Sequence, residues 1–97
     1  MKLRWTVRAR RDLIDIGRYI ALDKPEAARR WVARLRKSAR QAGDLPRSGR
    51  KVPELDREDV REVLVRSYRI VYRVLDKEVH VLTVFEGHRR FPQDLLD

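Results

Sequence analysis

Two consecutive runs of this chain carry apolar residues at helical spacing on one side only, and a proline stands between them. In the first, Ala9, Leu13, Ile16, Gly17 and Ile20 form the stripe, with Arg10, Arg11, Asp15 and Arg18 between them and Tyr19 on the flank. The spacing predicts a helix over 8–22. In the second, Ala28, Trp31, Val32, Leu35, Ala39 and Ala42 form the stripe, and Arg29, Arg30, Arg34, Arg36, Lys37 and Arg40 cover the rest. This predicts a helix over 25–42 that stops at Gly43, with Pro46 just beyond. Asp23-Lys24-Pro25-Glu26 reads as a helix restart. Pro25 suits the first helical position and Glu26 the positive end of the dipole. Asp23 is the better capping type, and Lys24 the nearer position. So short a link makes the helices an antiparallel hairpin. A hairpin apolar on one side needs a second apolar layer to cover it.

Segments of period two supply that layer. Leu3, Trp5 and Val7 alternate with Lys2, Arg4 and Thr6, a first strand. After a loop over 43–59 rich in Pro, Gly and charge, Arg61–Val65 and Tyr68–Leu75 read as two strands joined at Arg66-Ser67. Asp76-Lys77-Glu78 then turns into a last strand, Val79–Phe85. The order is β-α-α-β-β-β. It predicts an α+β fold of two layers, a helical hairpin on a mostly antiparallel sheet. The long helical crossover lets the first strand pair parallel to a later one. Gly17 marks a close helix–helix approach. Trp5, Tyr19 and Trp31 are expected to pack, with a docking groove as the alternative for part of that apolar area, and the tail after Phe91 is expected to fray.

Ninety-seven residues fit one domain spanning 1–97, with no room for a separate cofactor domain. Cysteine is absent, which excludes a disulfide scaffold, a thiol nucleophile and a thiolate zinc site and suits a reducing compartment. No apolar run approaches the roughly 18 residues of a membrane span. Met1-Lys2-Leu3-Arg4-Trp5 lacks the apolar run of a secretory signal, so a cytoplasmic location is expected.

Chemistry is sparse. His80 and His88 are the two histidines, and neither sits in a metal-ligand spacing, so no metal is expected. No glycine-rich loop links a strand to a helix, and no hydroxyl lies in a nucleophile elbow; no cofactor is expected. Arg66, Arg69 and Arg73 lie on or beside one strand, and His88, Arg89 and Arg90 follow its neighbour. On a concave sheet they form a candidate phosphate groove, with Arg for developing charge and His88 as acid or base. The competing reading pairs these arginines with Glu54, Glu62 and Glu86 as structural ion pairs.

Several stretches together resemble the RelE/ParE superfamily of bacterial toxins from type II toxin–antitoxin modules. They are Ala9-Arg10-Arg11-Asp12-Leu13-Ile14-Asp15-Ile16, Tyr19-Ile20-Ala21, Pro25-Glu26-Ala27-Ala28, Leu45-Pro46 with Gly49-Arg50, Arg61-Glu62, Tyr68-Arg69-Ile70-Val71-Tyr72-Arg73-Val74 and Gly87-His88-Arg89-Arg90. The resemblance covers about residues 3–92 and implies a small toxin neutralised by an antitoxin that wraps it with an extended, partly helical, often acidic segment. It also implies one of two targets. RelE-like members cleave messenger RNA on the ribosome, and Arg66, His88 and Arg89 would carry that role here. ParE-like members poison DNA gyrase by protein contact, with no catalytic residue; Arg69, Arg73, Arg89, Arg90, Arg30 and Arg34 would then bind target or antitoxin. The tail from Phe91 to Asp97 has no tyrosine, and the loop offers Arg50 and Lys51 but not the spaced lysines of the RelE pattern, so the resemblance favours the ParE branch. A degenerate toxin that only binds antitoxin is a third reading.

The distribution of charge bears on this choice. Residues 1–50 hold 15 Lys+Arg against 5 Asp+Glu, whereas residues 51–97 hold 9 against 10. An excess of this kind suits nucleic acid, an acidic protein or a membrane surface, or is simply a solvated face. It lies largely on the predicted helices rather than the predicted groove, which favours a protein-docking surface.

Overall fold

The computed structural model describes residues 1–96; Asp97, the last residue of the expected domain and tail, lies outside them. The elements are β1 (Lys2–Trp5), α1 (Val7–Ala21), α2 (Pro25–Asp44), a 3-10 turn (Pro46–Ser48), β2 (Arg50–Lys51), β3 (Val60–Val65), β4 (Tyr68–Val74) and β5 (Glu78–Glu86). The strands form one sheet in the order β1-β5-β4-β3-β2. β1 pairs parallel with β5, with Lys2 opposite Glu78 and Trp5 opposite Val81, and every other pairing is antiparallel. The α+β class, the two layers, the hairpin and the parallel first strand are as the sequence predicts.

The helices cover one face of the sheet. Leu35, Ala9 and Ala39 meet Ile70, Val81 and Val84 there, with Trp5, Trp31 and Tyr68 packed against them. Fully burying side chains such as Leu35 or Ile70 contributes about 1.5–3 kcal/mol each. Gly17 makes the close approach its position suggests: a Cβ there would lie 3.0 Å from a Val32 methyl, so α1 and α2 cross at that point.

Several details differ from the expectation. α1 begins at Val7 because the Thr6 side chain caps it, accepting from the Ala9 amide at 3.0 Å. α2 runs through Gly43 to Asp44, since Gly43 packs against Leu3 instead of terminating the helix. Its N-cap is Lys24, with no side-chain cap, so Asp23 does not cap it. The loop predicted over 43–59 holds the 3-10 turn and the fifth strand, β2. A bulge in β5 leaves Leu82 unpaired, because Val71 opposes Thr83 while Tyr72 opposes Val81. Tyr19 is exposed rather than packed.

The tail is not frayed through the described residues. Phe91, Leu95 and Leu96 pack with Val52, Val60, Val71 and Phe85 as a second apolar cluster on the sheet face away from the helices. Phe91 meets Phe85 edge-on at 5.8 Å, and Arg8 of α1 reaches Asp94 at 3.1 Å. A short apolar strap and the 52–59 loop thus cover part of the face that the helices leave open.

Candidate functional site

The outer sheet face is where the sequence places a candidate groove. Alternation along β4 does put Arg69 and Arg73 there together. Arg69, however, is spent inside the fold. Its Nε donates to Glu62 at 2.7 Å, and its two terminal nitrogens donate to the Glu54 carboxylate at 2.9 and 2.8 Å. The guanidinium carbon stands 5.2 and 5.3 Å from the ring centres of Phe85 and Phe91, which meet each other edge-on. Glu62 is buried and takes a second donor from Arg50 Nε at 2.7 Å. The Arg69 bond, ahead of all else, holds the Glu54 carboxyl below the usual carboxylate range, and Glu54 in turn leads in raising Arg69 above its ordinary value. Arg73 donates to Asp59 at 3.2 Å. The structural pairing foreseen with Glu54 and Glu62 is therefore present at Arg69. At Glu86 the partner is His88, at 3.9 Å.

Arg66, His88 and Arg89 occupy one end of the sheet. Arg66 sits at the β3–β4 turn with φ 55°, the left-handed region, which costs an ordinary side chain energy. The turn after β5 is tied to it by the Gly87 amide, which donates to the Ser67 carbonyl at 2.6 Å. Arg66, His88, Arg89 and Arg90 are all exposed. Beside them, an open cleft of about 410 Å³ runs between α1 and β5, lined by Asp12, Asp15, Tyr19, Tyr68, Glu86 and Arg89 among others. Burial first, then the Glu86 carboxylate, holds the Tyr68 phenol above its ordinary value. Asp12 accepts from the Thr83 hydroxyl at 2.5 Å, fastening α1 to β5. His80 lies elsewhere, bonded to Glu78 at 2.7 Å, and Arg4 reaches the same carboxylate at 3.0 Å.

The helical hairpin carries the unneutralised charge. Arg29, Arg30, Arg34, Arg36, Lys37 and Arg40 are all exposed, and none makes an ion pair among the described residues. Helical spacing sorts them into two rows. Arg36 and Arg40 join Arg10 on the rim of a groove of about 520 Å³, floored by Leu3, Trp5, Leu13 and Ile14. Arg30, Arg34 and Lys37 form the second row. The sequence pointed to Arg30 and Arg34 and to a docking groove beside the aromatic residues; Trp5 does line one, but its floor comes from β1 and α1 and its rim from both helices, which no single stripe shows.

Among the described residues no group of three or more His or carboxylate side chains is placed to hold a metal, and no helix is long and apolar enough to cross a membrane.

Comparison with known proteins gives concordant results. The family model for the ParE toxin of the type II toxin–antitoxin system parDE matches residues 3–91. A Sinorhizobium fredii protein with the provisional name toxin Y4kP is 38% identical over 96 residues, 97% of this chain and 96% of that one. Toxin RelE2 of Caulobacter vibrioides is 38% identical over 85 residues, 88% of this chain and 93% of that one. The solved structure of a chromosomal ParDE system from P. aeruginosa shares the fold, with TM-score 0.76 at 24% identity, covering 89% of this chain and 95% of that chain.

Proposed function

Because the chain belongs to the ParE toxin family of type II toxin–antitoxin systems, we propose that it inhibits DNA gyrase by protein contact, with no catalytic residue of its own. A cognate antitoxin neutralises it by laying an acidic amphipathic segment in the groove rimmed by Arg10, Arg36 and Arg40. The observation that carries the first half is the state of the outer sheet face. A nuclease of this fold needs free cations over its groove, whereas here Arg69 is bound by two carboxylates, Arg73 is paired, and the strap from Phe91 to Leu96 lies across the sheet. Two features support the second half. The groove has an apolar floor, and its rim is cationic and unpaired. Charge complementarity there steers an acidic partner and fixes its register. Arg89 and Arg90, exposed at the end of β5, serve contact with the target. Arg69 and Arg73 serve the scaffold.

A second reading rests on one observation, the hydrogen bond from Gly87 to Ser67 that brings the Arg66 turn beside His88 and Arg89. In that reading the protein is a ribosome-dependent mRNA endonuclease using those three side chains. Purified protein in a gyrase supercoiling assay separates the two. Loss of supercoiling or trapped cleaved DNA is expected. Unimpaired supercoiling at excess toxin, with mRNA cleavage abolished by joint Arg89→Ala and His88→Ala changes, would establish the second reading instead.

A further inference from the structure

The two cation rows of α2 differ in what surrounds them. The row of Arg36 and Arg40 borders an apolar floor. The other, Arg30, Arg34 and Lys37 followed by Gln41, lies at i, i+4, i+7 and i+11 and contains no apolar side chain. At its C-terminal end, Gln41 lines a second groove of about 320 Å³ between α2 and the β2–β3 edge. Ser38, Ser48, Gly49 and Arg50 line that groove together with the apolar Ala42, Val63 and Leu64. The single carboxylate in this groove, Glu62, is already neutralised by Arg50 and Arg69. Glu26, one turn before Arg30, makes no ion pair among the described residues, so it leaves Arg30 free. Arg34 is held in place, its guanidinium carbon 5.3 Å from the centre of the half-buried Trp31 ring.

From this we infer that the Arg30–Arg34–Lys37 row binds the phosphate backbone of duplex DNA, without reading sequence. A protein-docking core is apolar at its centre and depleted in lysine. The side chains of this row are cationic or amide, and none of them is apolar. At about 1.5 Å per residue the row spans about 10 Å. Duplex DNA carries one charge per about 1.7 Å of axis, so several phosphates face the row at once. Arginine forks suit phosphate oxygens, and the exposed Gln41 amide at the end of the row adds a neutral donor. The inference is independent of gyrase as target. It places nucleic acid on one flank of α2 and leaves the apolar groove on the other flank to a protein segment.

The test is fluorescence anisotropy of a labelled 20-base-pair duplex of arbitrary sequence titrated with the full chain between 50 and 200 mM salt. Three to four neutralised phosphates, at about −0.9 each, give an expected log–log salt slope of about −3. Joint Arg30→Gln, Arg34→Gln and Lys37→Gln changes, all exposed, should weaken binding at least about tenfold at the lower salt and flatten the slope. Joint Lys2→Gln, Lys24→Gln and Lys77→Gln changes remove the same charge from other exposed positions and should leave the slope within one unit. Circular dichroism confirms that both variants fold. Three results would overturn the inference: a slope shallower than about −1 for the unaltered chain, equal losses in the two variants, or an on-row variant that keeps duplex binding but no longer binds an acidic amphipathic peptide. The last would mark the row as a protein-docking surface.

Discussion

The Arg69 Nε and the Glu62 Oε1 lie 2.7 Å apart, and the Glu62 side chain has no exposed surface. Four segments meet at this pair: β3 and β4 through the two residues themselves, the 52–59 loop through Glu54, and the C-terminal strap through Phe91. Removing Arg69 leaves the buried Glu62 carboxylate with the half-exposed Arg50 as its remaining cationic partner. Arg69→Ala is expected to cost up to about 3 kcal/mol, the low end for a broken buried pair, read as a lowered midpoint in urea unfolding. A midpoint within error of the parent protein would show the pair to be incidental.

Acid should act through the same network. The Glu54 carboxyl is held below its ordinary value of 4.5, chiefly by Arg69, and Asp59 below 3.8, chiefly by Arg57. A depressed folded value means stability that is fully present above the ordinary value and lost as pH falls through the folded one. Thermal stability is expected to fall as pH drops below about 4.5, and Glu54→Gln should shallow that fall. The effect is moderate, because both carboxylates are partly solvated. A midpoint flat between pH 5 and 3 would contradict it.

At the other end of β4, the Tyr72 hydroxyl donates to the Pro46 carbonyl at 2.7 Å and accepts from the Gly49 amide at 3.2 Å. Tyr72→Phe leaves both groups unpartnered in a buried place and should cost about 1–3 kcal/mol. Gly49→Ala meets the same hydroxyl and comes 2.8 Å from the Glu62 carbonyl oxygen. Its cost should be about 1–3 kcal/mol. Chemical denaturation of the two variants and their combination checks this, and non-additive losses are expected since the sites touch.

Arg66, with φ 55°, offers a test that separates stability from function. Arg66→Gly relieves the backbone and should stabilise the fold by up to about 1 kcal/mol, less the entropy glycine adds to the unfolded chain. Under the gyrase reading, growth inhibition on induced expression persists. Abolished inhibition together with a raised melting temperature would assign Arg66 a direct role and favour the endonuclease.

Phe91 touches both Phe85 and Arg69. Phe91→Ala removes an edge-on aromatic contact and one of the two rings beside the Arg69 guanidinium. We expect a loss of about 2–3 kcal/mol, below the range for fully buried aromatics because Phe91 is half-buried. Faster amide exchange over Val52–Asp56 and Phe85 should accompany it. Unchanged exchange there would mean that the strap does not hold the loop.

The element order was legible because each change of hydrophobic period is long enough to register, from Leu3–Val7 through the two helical stripes to Tyr68–Val74. β2 was not, since two residues, Arg50 and Lys51, carry no pattern and pair only because β3 lies alongside. The α1 cap was missed because Thr6 continued the alternation of β1. Alternation gave the face of Arg69 correctly. Glu54 and Glu62 were among the partners the sequence offered, but that both fall to Arg69, from 15 and 7 residues away, is decided by the cross-strand register and the fold of the loop. Phe91, Leu95 and Leu96 were visible as apolar tail residues, but only the sheet they cover explains their presence. The charge split predicted a basic hairpin. Its division into an apolar-floored groove and a polar row required the crossing of α1 and α2 at Gly17.

The parallel pairing of β1 with β5 joins the first strand to the last, Lys2 with Glu78. During synthesis Leu3 and Trp5 therefore wait, without a sheet to join, until nearly the whole chain has emerged. A product that stops short of β5 lacks both the strand that receives β1 and the Thr83 hydroxyl that anchors Asp12. Such a fragment keeps its apolar hairpin face uncovered and is a substrate for proteolysis. For a protein whose action harms its own host, late closure has a quantitative consequence. Interrupted translation yields debris rather than partial activity, so harmful molecules rise in number only with completed chains.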